Sequence, residues 1–141
     1  MVKIGISNST RLHVYRLHPG QDLKQELVSY ITNSGINAGC IISGVGSLQH
    51  VCLRLANQKE IISYHGKFEI VSLTGTLSTK GVHLHMSVSD EKGITIGGHL
   101  SDNNKVYTTI ELIILEMLDL HFDRPIDPKT KCKELIIYKK D

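Results

Sequence analysis

Between Val82 and Leu100 apolar and polar residues change places at almost every step, and no other feature of the chain restricts the fold as much. Val82, Leu84, Met86 and Val88 are apolar, while His83, His85, Ser87 and Ser89 between them are polar. A period of two is a β-strand with one buried face. Beyond Asp90 the pattern resumes, with Ile94, Ile96 and Leu100 at even positions and Thr95, Gly97 and His99 at odd ones. Two short strands this close form a hairpin. Residues directly opposite each other share a face, so the apolar faces match only where paired numbers add to an even sum. A three-residue loop Glu91-Lys92-Gly93, with Gly93 left-handed, satisfies that condition. It predicts Asp90 opposite Ile94, Val88 opposite Ile96, Leu84 opposite Leu100 and His85 opposite His99. His83 then lies two residues along on the same face.

Directly opposed residues have Cβ atoms about 4.5–5.5 Å apart, so this register lets three imidazoles converge. Gly97 and Gly98 suit a strand approached closely by a ligand or another backbone. Three histidines with a fourth position left to water make a catalytic type of zinc site, whereas structural sites are closed by four protein ligands. The alternative is that His83, His85 and His99 are ordinary polar residues on a wet sheet face.

The chain has 141 residues, enough for one domain, residues 1–141, that buries roughly two-thirds of its unfolded surface. Aromatics make up only 5% and Trp is absent, so the core must be built from Ile, Leu and Val. No apolar run approaches the roughly 20 residues that span a bilayer, and the N-terminus lacks a signal-peptide pattern. A soluble cytoplasmic protein without a membrane partner is expected. The net charge of +2 is too small to argue for nucleic acid. The lysines Lys129, Lys131, Lys133, Lys139 and Lys140 read as a solvated face. Cys40, Cys52 and Cys132 show no C-x-x-C spacing and cannot all pair. Cys40, in the apolar run Ala38–Ile42, reads as a small buried hydrophobe, which suits a reducing compartment.

Along the chain, Met1–Thr10 reads as a frayed lead-in and Arg11–Leu17 as a strand ended by His18-Pro19-Gly20. Asp22 and Gln25 have capping-box spacing. Leu23, Leu27, Tyr30 and Ile31 form a helical stripe, and Gly35 is placed to end that helix. Ala38–Val45 looks like an interior strand. The segment Gly44-Val45-Gly46-Ser47 lacks the rest of any phosphate-binding signature and reads as a bend or bulge. Val51–Ala56 and Glu60–Tyr64 are candidate strands of a meander, and Phe68–Leu77 is a longer strand in which Gly75 relieves crowding. Val106–Leu118 fits a helix by spacing and a strand by its β-branched content. Asp123–Lys131 is a loop and Glu134–Tyr138 a closing strand. Strands dominate, so the class is α+β, with a largely antiparallel sheet and one main N-terminal helix packed on it.

The strings PGQDL, SGVGSL, GKFEIVSLTGTL, HLHMSVSD and GGHL, in that order, resemble the plants-and-prokaryotes-conserved (PPC) domain from about Arg11 to Leu118. The resemblance implies a compact α+β homotrimer with a fold related to acetolactate decarboxylase. In that enzyme a comparable H-x-H…H set holds zinc. Carried over, His83, His85 and His99 would be the metal ligands, with Zn²⁺ as cofactor. Glu69 and Glu111 stand at acidic positions typical of the family and are the candidate catalytic carboxylates. The resemblance also turns Val106–Leu118 toward strand. Stand-alone prokaryotic members carry a DNA-binding label because plant relatives join this domain to AT-hooks. These 141 residues contain no Arg-Gly-Arg-Pro core of an AT-hook, the element that reads the minor groove.

Three functional classes follow. The first is a trimeric, divalent-metal-binding protein of assembly or regulation, associated weakly and non-specifically with DNA. The second is a zinc-dependent lyase or hydrolase acting on a small molecule at the metal, with Glu69 or Glu111 as general acid or base. The third is a metal-free scaffold.

Overall fold

The computed structural model describes residues 1–140. Eight strands and one helix follow in the order β1 (Thr10–Leu17), α1 (Leu23–Ser34), β2 (Gly39–Arg54), β3 (Ile61–Ser78), β4 (Gly81–Ser89), β5 (Thr95–Leu100), β6 (Lys105–Met117), β7 (Leu120–Asp123) and β8 (Ile136–Lys139). Six strands form one antiparallel sheet in the order β1-β6-β2-β3-β4-β5, and β7 pairs with β8. This is the α+β, strand-dominated class that the residue pattern requires. Leu53 and Arg54 at the end of β2 also pair with Leu100 and His99 of β5. That extra pairing curls β2, β3, β4 and β5 back on themselves.

Helix α1 starts and stops where its caps dictate. The Asp22 carboxylate accepts the Gln25 amide at 3.0 Å, and Gly35, at φ 67°, donates its N–H to the last-turn carbonyls. Leu23, Leu27 and Ile31 are fully buried and join Leu17, Leu48, Leu84, Leu100, Ile110 and their neighbours in the main core. Buried Asn104 closes the end of the curl. Its Oδ1 accepts the Cys52 amide, and its Nδ2 donates to the Ser101 and Cys52 carbonyls.

Val106–Leu118 is strand up to Met117, where β6 ends, and Leu118 turns the chain toward β7. Other expectations need correction. Ala38–Val45 and Val51–Ala56 are one strand, β2, carried past the Gly44-Val45-Gly46-Ser47 bend by register shifts. Glu60–Tyr64 and Phe68–Leu77 are likewise one strand, β3. Both are long because a bulge lets a strand bend without ending. The expected frayed lead-in is tied down: the Val2 amide donates to the Ile137 carbonyl at 2.8 Å, and the Asn8 amide to the Asp119 carboxylate at 2.8 Å. The closing strand begins at Ile136, two residues late, and pairs with β7, which takes in Asp123 at the start of the expected loop. Cys40 is half-buried rather than buried.

Candidate metal centre

Strands β4 and β5 meet in the register that apolar matching predicts. His85 is opposite His99, Val88 opposite Ile96 and Ser89 opposite Thr95. Gly93 is left-handed at φ 77°. The Asp90 amide donates to the Ile94 carbonyl, and the Asp90 carboxylate accepts the Lys92 and Ile94 amides. Leu84, Met86, Val88 and Leu100 bury their side chains in the core, which turns His83, His85 and His99 to the other face. Ile94, at the loop end of the apolar stripe, stays 59% exposed.

The three rings form a triangle with centroid separations of 5.0, 5.5 and 5.6 Å. Each offers a nitrogen, and the three nitrogens lie within 4.8 Å of one another. A tetrahedral zinc with Zn–N of about 2.0–2.1 Å needs its nitrogens roughly 3.3 Å apart, a contraction that small side-chain rotations supply. Three neutral imidazoles are also the right donors for zinc. The neighbouring β3 residues Thr74 and Thr76, opposite His85 and His83, are short and leave room beside the rings.

The surroundings of His83 and His99 favour the neutral ring. Burial, then the Arg54 guanidinium, then the two neighbouring imidazoles and Lys24 push the His99 pKa down to about 4. Burial, then Arg124 and His85, hold His83 below the ordinary value, while Glu134 acts the other way. Desolvation and nearby positive charge both disfavour the imidazolium, and ligation requires the neutral ring.

Two arginines stand at this site. Arg54 is opposite His99 through the β2–β5 pairing. Arg124, the first residue after β7, donates from Nη2 to His83 Nδ1 at 3.3 Å and to the Lys133 carbonyl at 2.9 Å. Together with Lys80, Cys132, Lys133 and Glu134 they line a cleft of about 480 Å³ beside the histidines. None of these residues carries a local signal. Arg54 arrives by strand closure and Arg124 by a chain crossing some forty residues from His83 (|i−j| of 41), so periodicity could not find them.

Glu69 and Glu111 are exposed strand residues that do not line this cleft. Glu69 is opposite Ser89, four residues from His85 along β4, or about 13 Å at 3.3 Å per residue. Glu111 is opposite Arg16 and Val45, in a strand separated from β4 by β2 and β3.

The chain is similar to known proteins. A hypothetical protein from Salmonella enterica superposes with a TM-score of 0.93 at 38% identity, covering 96% of this chain and 98% of that one. Among curated relatives, the bifunctional protein GlmU of a Synechococcus strain is 44% identical over 133 residues, covering 94% of this chain and 21% of the relative. The AT-hook motif nuclear-localized protein 13 of Arabidopsis thaliana is 33% identical over 97 residues, covering 61% of this chain and 22% of the relative. The chain thus spans about a fifth of the length of these curated relatives. The model of the Plants and Prokaryotes Conserved (PCC) domain matches residues 5–118, a span that holds both strands of the histidine hairpin, and the chain belongs to that family.

Proposed function

We propose that the chain is a self-assembling PCC-domain module, a homotrimer, that holds a divalent metal through His83, His85 and His99 and serves an assembly or regulatory role. The observation that carries the metal half is the convergence of three imidazole nitrogens within 4.8 Å, two of them on rings whose pKa is lowered, His83 and His99. Zinc suits the donor set, and when bound it would supply a Lewis acid and a bound water of lowered pKa. His83 and His85 would present their rings from one strand and His99 from the other, with the buried Leu84, Met86 and Leu100 fixing the backbone beneath.

The assembly half is supported by the outward sheet face. Register aligns Leu12, Leu115, Cys40, Thr76 and His83 in one row across five strands. Near the β1 end of that face Leu12 is 62% and Val14 81% exposed, and Val45 is 54% exposed. Exposed apolar side chains grouped this way mark association surfaces. A biological interface here would bury at least about 1,000 Å². Light scattering combined with elemental analysis tests both halves: the proposal expects a trimer mass and one zinc per chain, and a monomer without metal would overturn it. Leu12→Asp with Val14→Lys should lower the mass to that of a monomer.

DNA association enters through the AT-hook relative. On this chain it would rest on lysines neutralising phosphates, so binding would be weak, non-specific and steeply salt-dependent. A mobility-shift series from low to physiological salt tests it. A preference above tenfold for one sequence would contradict this reading.

A zinc-dependent lyase or hydrolase is the second reading, favoured by the cleft beside the histidines. Glu69 and Glu111 could serve it as general acid or base only if assembly brings one of them, from another copy, to the cleft. Loss of activity in Glu69→Gln or Glu111→Gln, with zinc content unchanged, would identify it.

A further inference from the structure

The cleft beside the histidines is lined by four cationic side chains, Arg54, Lys80, Arg124 and Lys133, against one carboxylate, Glu134. None of the four makes an ion pair among the described residues. Glu134 itself accepts a hydrogen bond from the Thr130 hydroxyl at 2.9 Å. Like charges gathered without partners repel one another and destabilise the fold, so the arrangement calls for a counter-charge from outside the chain.

The two arginines are also held in place rather than free. Arg124 is half-buried and is fastened by the Lys133 carbonyl and by the Thr76 hydroxyl at 3.5 Å, with a third hydrogen bond to His83 that a bound metal would displace. Those three hydrogen bonds leave two of its five N–H donors unspent. Arg54 donates to the Gln58 carbonyl at 3.3 Å, and its backbone is fixed opposite His99 by the β2–β5 pairing. A guanidinium offers a planar fork that matches carboxylate and phosphate oxygens. Two pre-positioned forks in a concave cleft supply both the charge and the geometry such an oxyanion needs.

We propose that this cleft is a binding site for a small oxyanion, a carboxylate or phosphate ester, gripped by Arg54 and Arg124 beside the three histidines. The proposal rests on the metal reading for the contact of one anion oxygen with the ion, and not for the guanidinium contacts. The metal would tighten the site, and the arginines define it. A pendant group of the ligand would extend along Lys80 and Lys133 at the cleft rim.

Calorimetric titration of the full chain with benzoate and with phenyl phosphate tests this, in the zinc-loaded and the chelator-treated protein, alongside Arg54→Met and Arg124→Met. Saturable binding of at least one probe is expected, weakened tenfold or more by each variant, with zinc stoichiometry unchanged. Lysine at either position should restore part of the affinity, since charge returns without the fork. Zinc held while both probes fail to bind, or bind equally to wild type and variants, overturns the anion site alone. Arginine-dependent anion binding in a protein that holds no zinc overturns the metal reading and leaves the anion site standing. Displacement of the probe by a short DNA duplex at equal phosphate concentration would reassign the cleft to a nucleic-acid backbone and end the small-molecule proposal. Should Arg124→Met fail to fold, the exposed Arg54 decides.

Discussion

Arg124 donates from Nη2 to the Nδ1 of His83 at 3.3 Å. A guanidinium can only donate, so Nδ1 spends its lone pair there and the neutral ring carries its proton on Nε2. A metal needs that same lone pair, the only one a neutral imidazole ring offers in its plane, which makes the ion and Arg124 rivals for His83. Their charges also repel. Arg124→Met should therefore raise zinc affinity several-fold while leaving one ion per chain. Competition against a chromophoric chelator measures it. Weaker binding in the variant would mean that Arg124 orients His83 for the metal instead of competing with it.

The three histidines proposed as ligands are separable from the chain's other histidines. His85→Ala should abolish stoichiometric zinc, because two imidazoles leave too few protein donors for a stable site. His50 is also a strand histidine, and its ring stacks on His65 at 4.2 Å between centroids, outside the cluster of three. His50→Ala should keep its zinc. Elemental analysis after dialysis distinguishes the two outcomes, and equal loss in both variants would point to binding elsewhere.

Acid should act on the site in a window set by the two depressed imidazoles. The His99 pKa lies at about 4 against an ordinary 6.5, and that of His83 is also lowered. Between those limits the unfolded chain binds more protons at these positions than the folded one, so stability falls as pH drops. The same displacement protects the metal, since protons compete for a ring only near its folded pKa. Zinc should be retained from neutrality through about pH 6 and released as pH falls toward about 4. Release that was complete by about pH 6 would show that these rings titrate like exposed histidines.

The histidine hairpin could be read from the sequence because everything that fixes it is local. Alternation chose the faces, Gly93 permitted the turn, and pairing parity did the rest. The same local logic placed α1 between Asp22 and Gly35. It failed wherever the structure depended on distant pairing. Nothing near Gly44 or Lys67 announces that β2 and β3 run on through their bends, because a bulge and a strand end use the same residues. Arg54 meets His99 only when β2 closes on β5. Arg124 needs β7 in place before it can reach His83, and β7 is a four-residue strand whose pairing partner lies beyond a loop. Val106–Leu118 showed the limit of periodicity itself, since its spacing suits a helix and its branched side chains a strand. Tertiary pairing with β1 and β2 decided it.

Gly75 offers a test of how tightly the metal centre depends on sheet geometry. It is opposite Leu84 on β4, at φ 156°. A Cβ there would lie 2.0 Å from the His83 carbonyl oxygen and 2.8 Å from the Leu84 side chain. Gly75→Ala must therefore push β4 away from β3 at the residue that carries the first histidine. The backbone conformation alone costs a non-glycine residue roughly 1–3 kcal/mol. Gly46 is a matched control. At φ 150°, its added Cβ would meet the Thr109 carbonyl oxygen, also at 2.0 Å, but on the β2–β6 side of the sheet. Both variants should lose thermal stability by a similar amount. Only Gly75→Ala should also weaken zinc binding when affinity is measured on folded protein at low temperature. Equal zinc affinity in the two variants would show that the histidine triangle tolerates displacement of β4, and that the register alone sets the site.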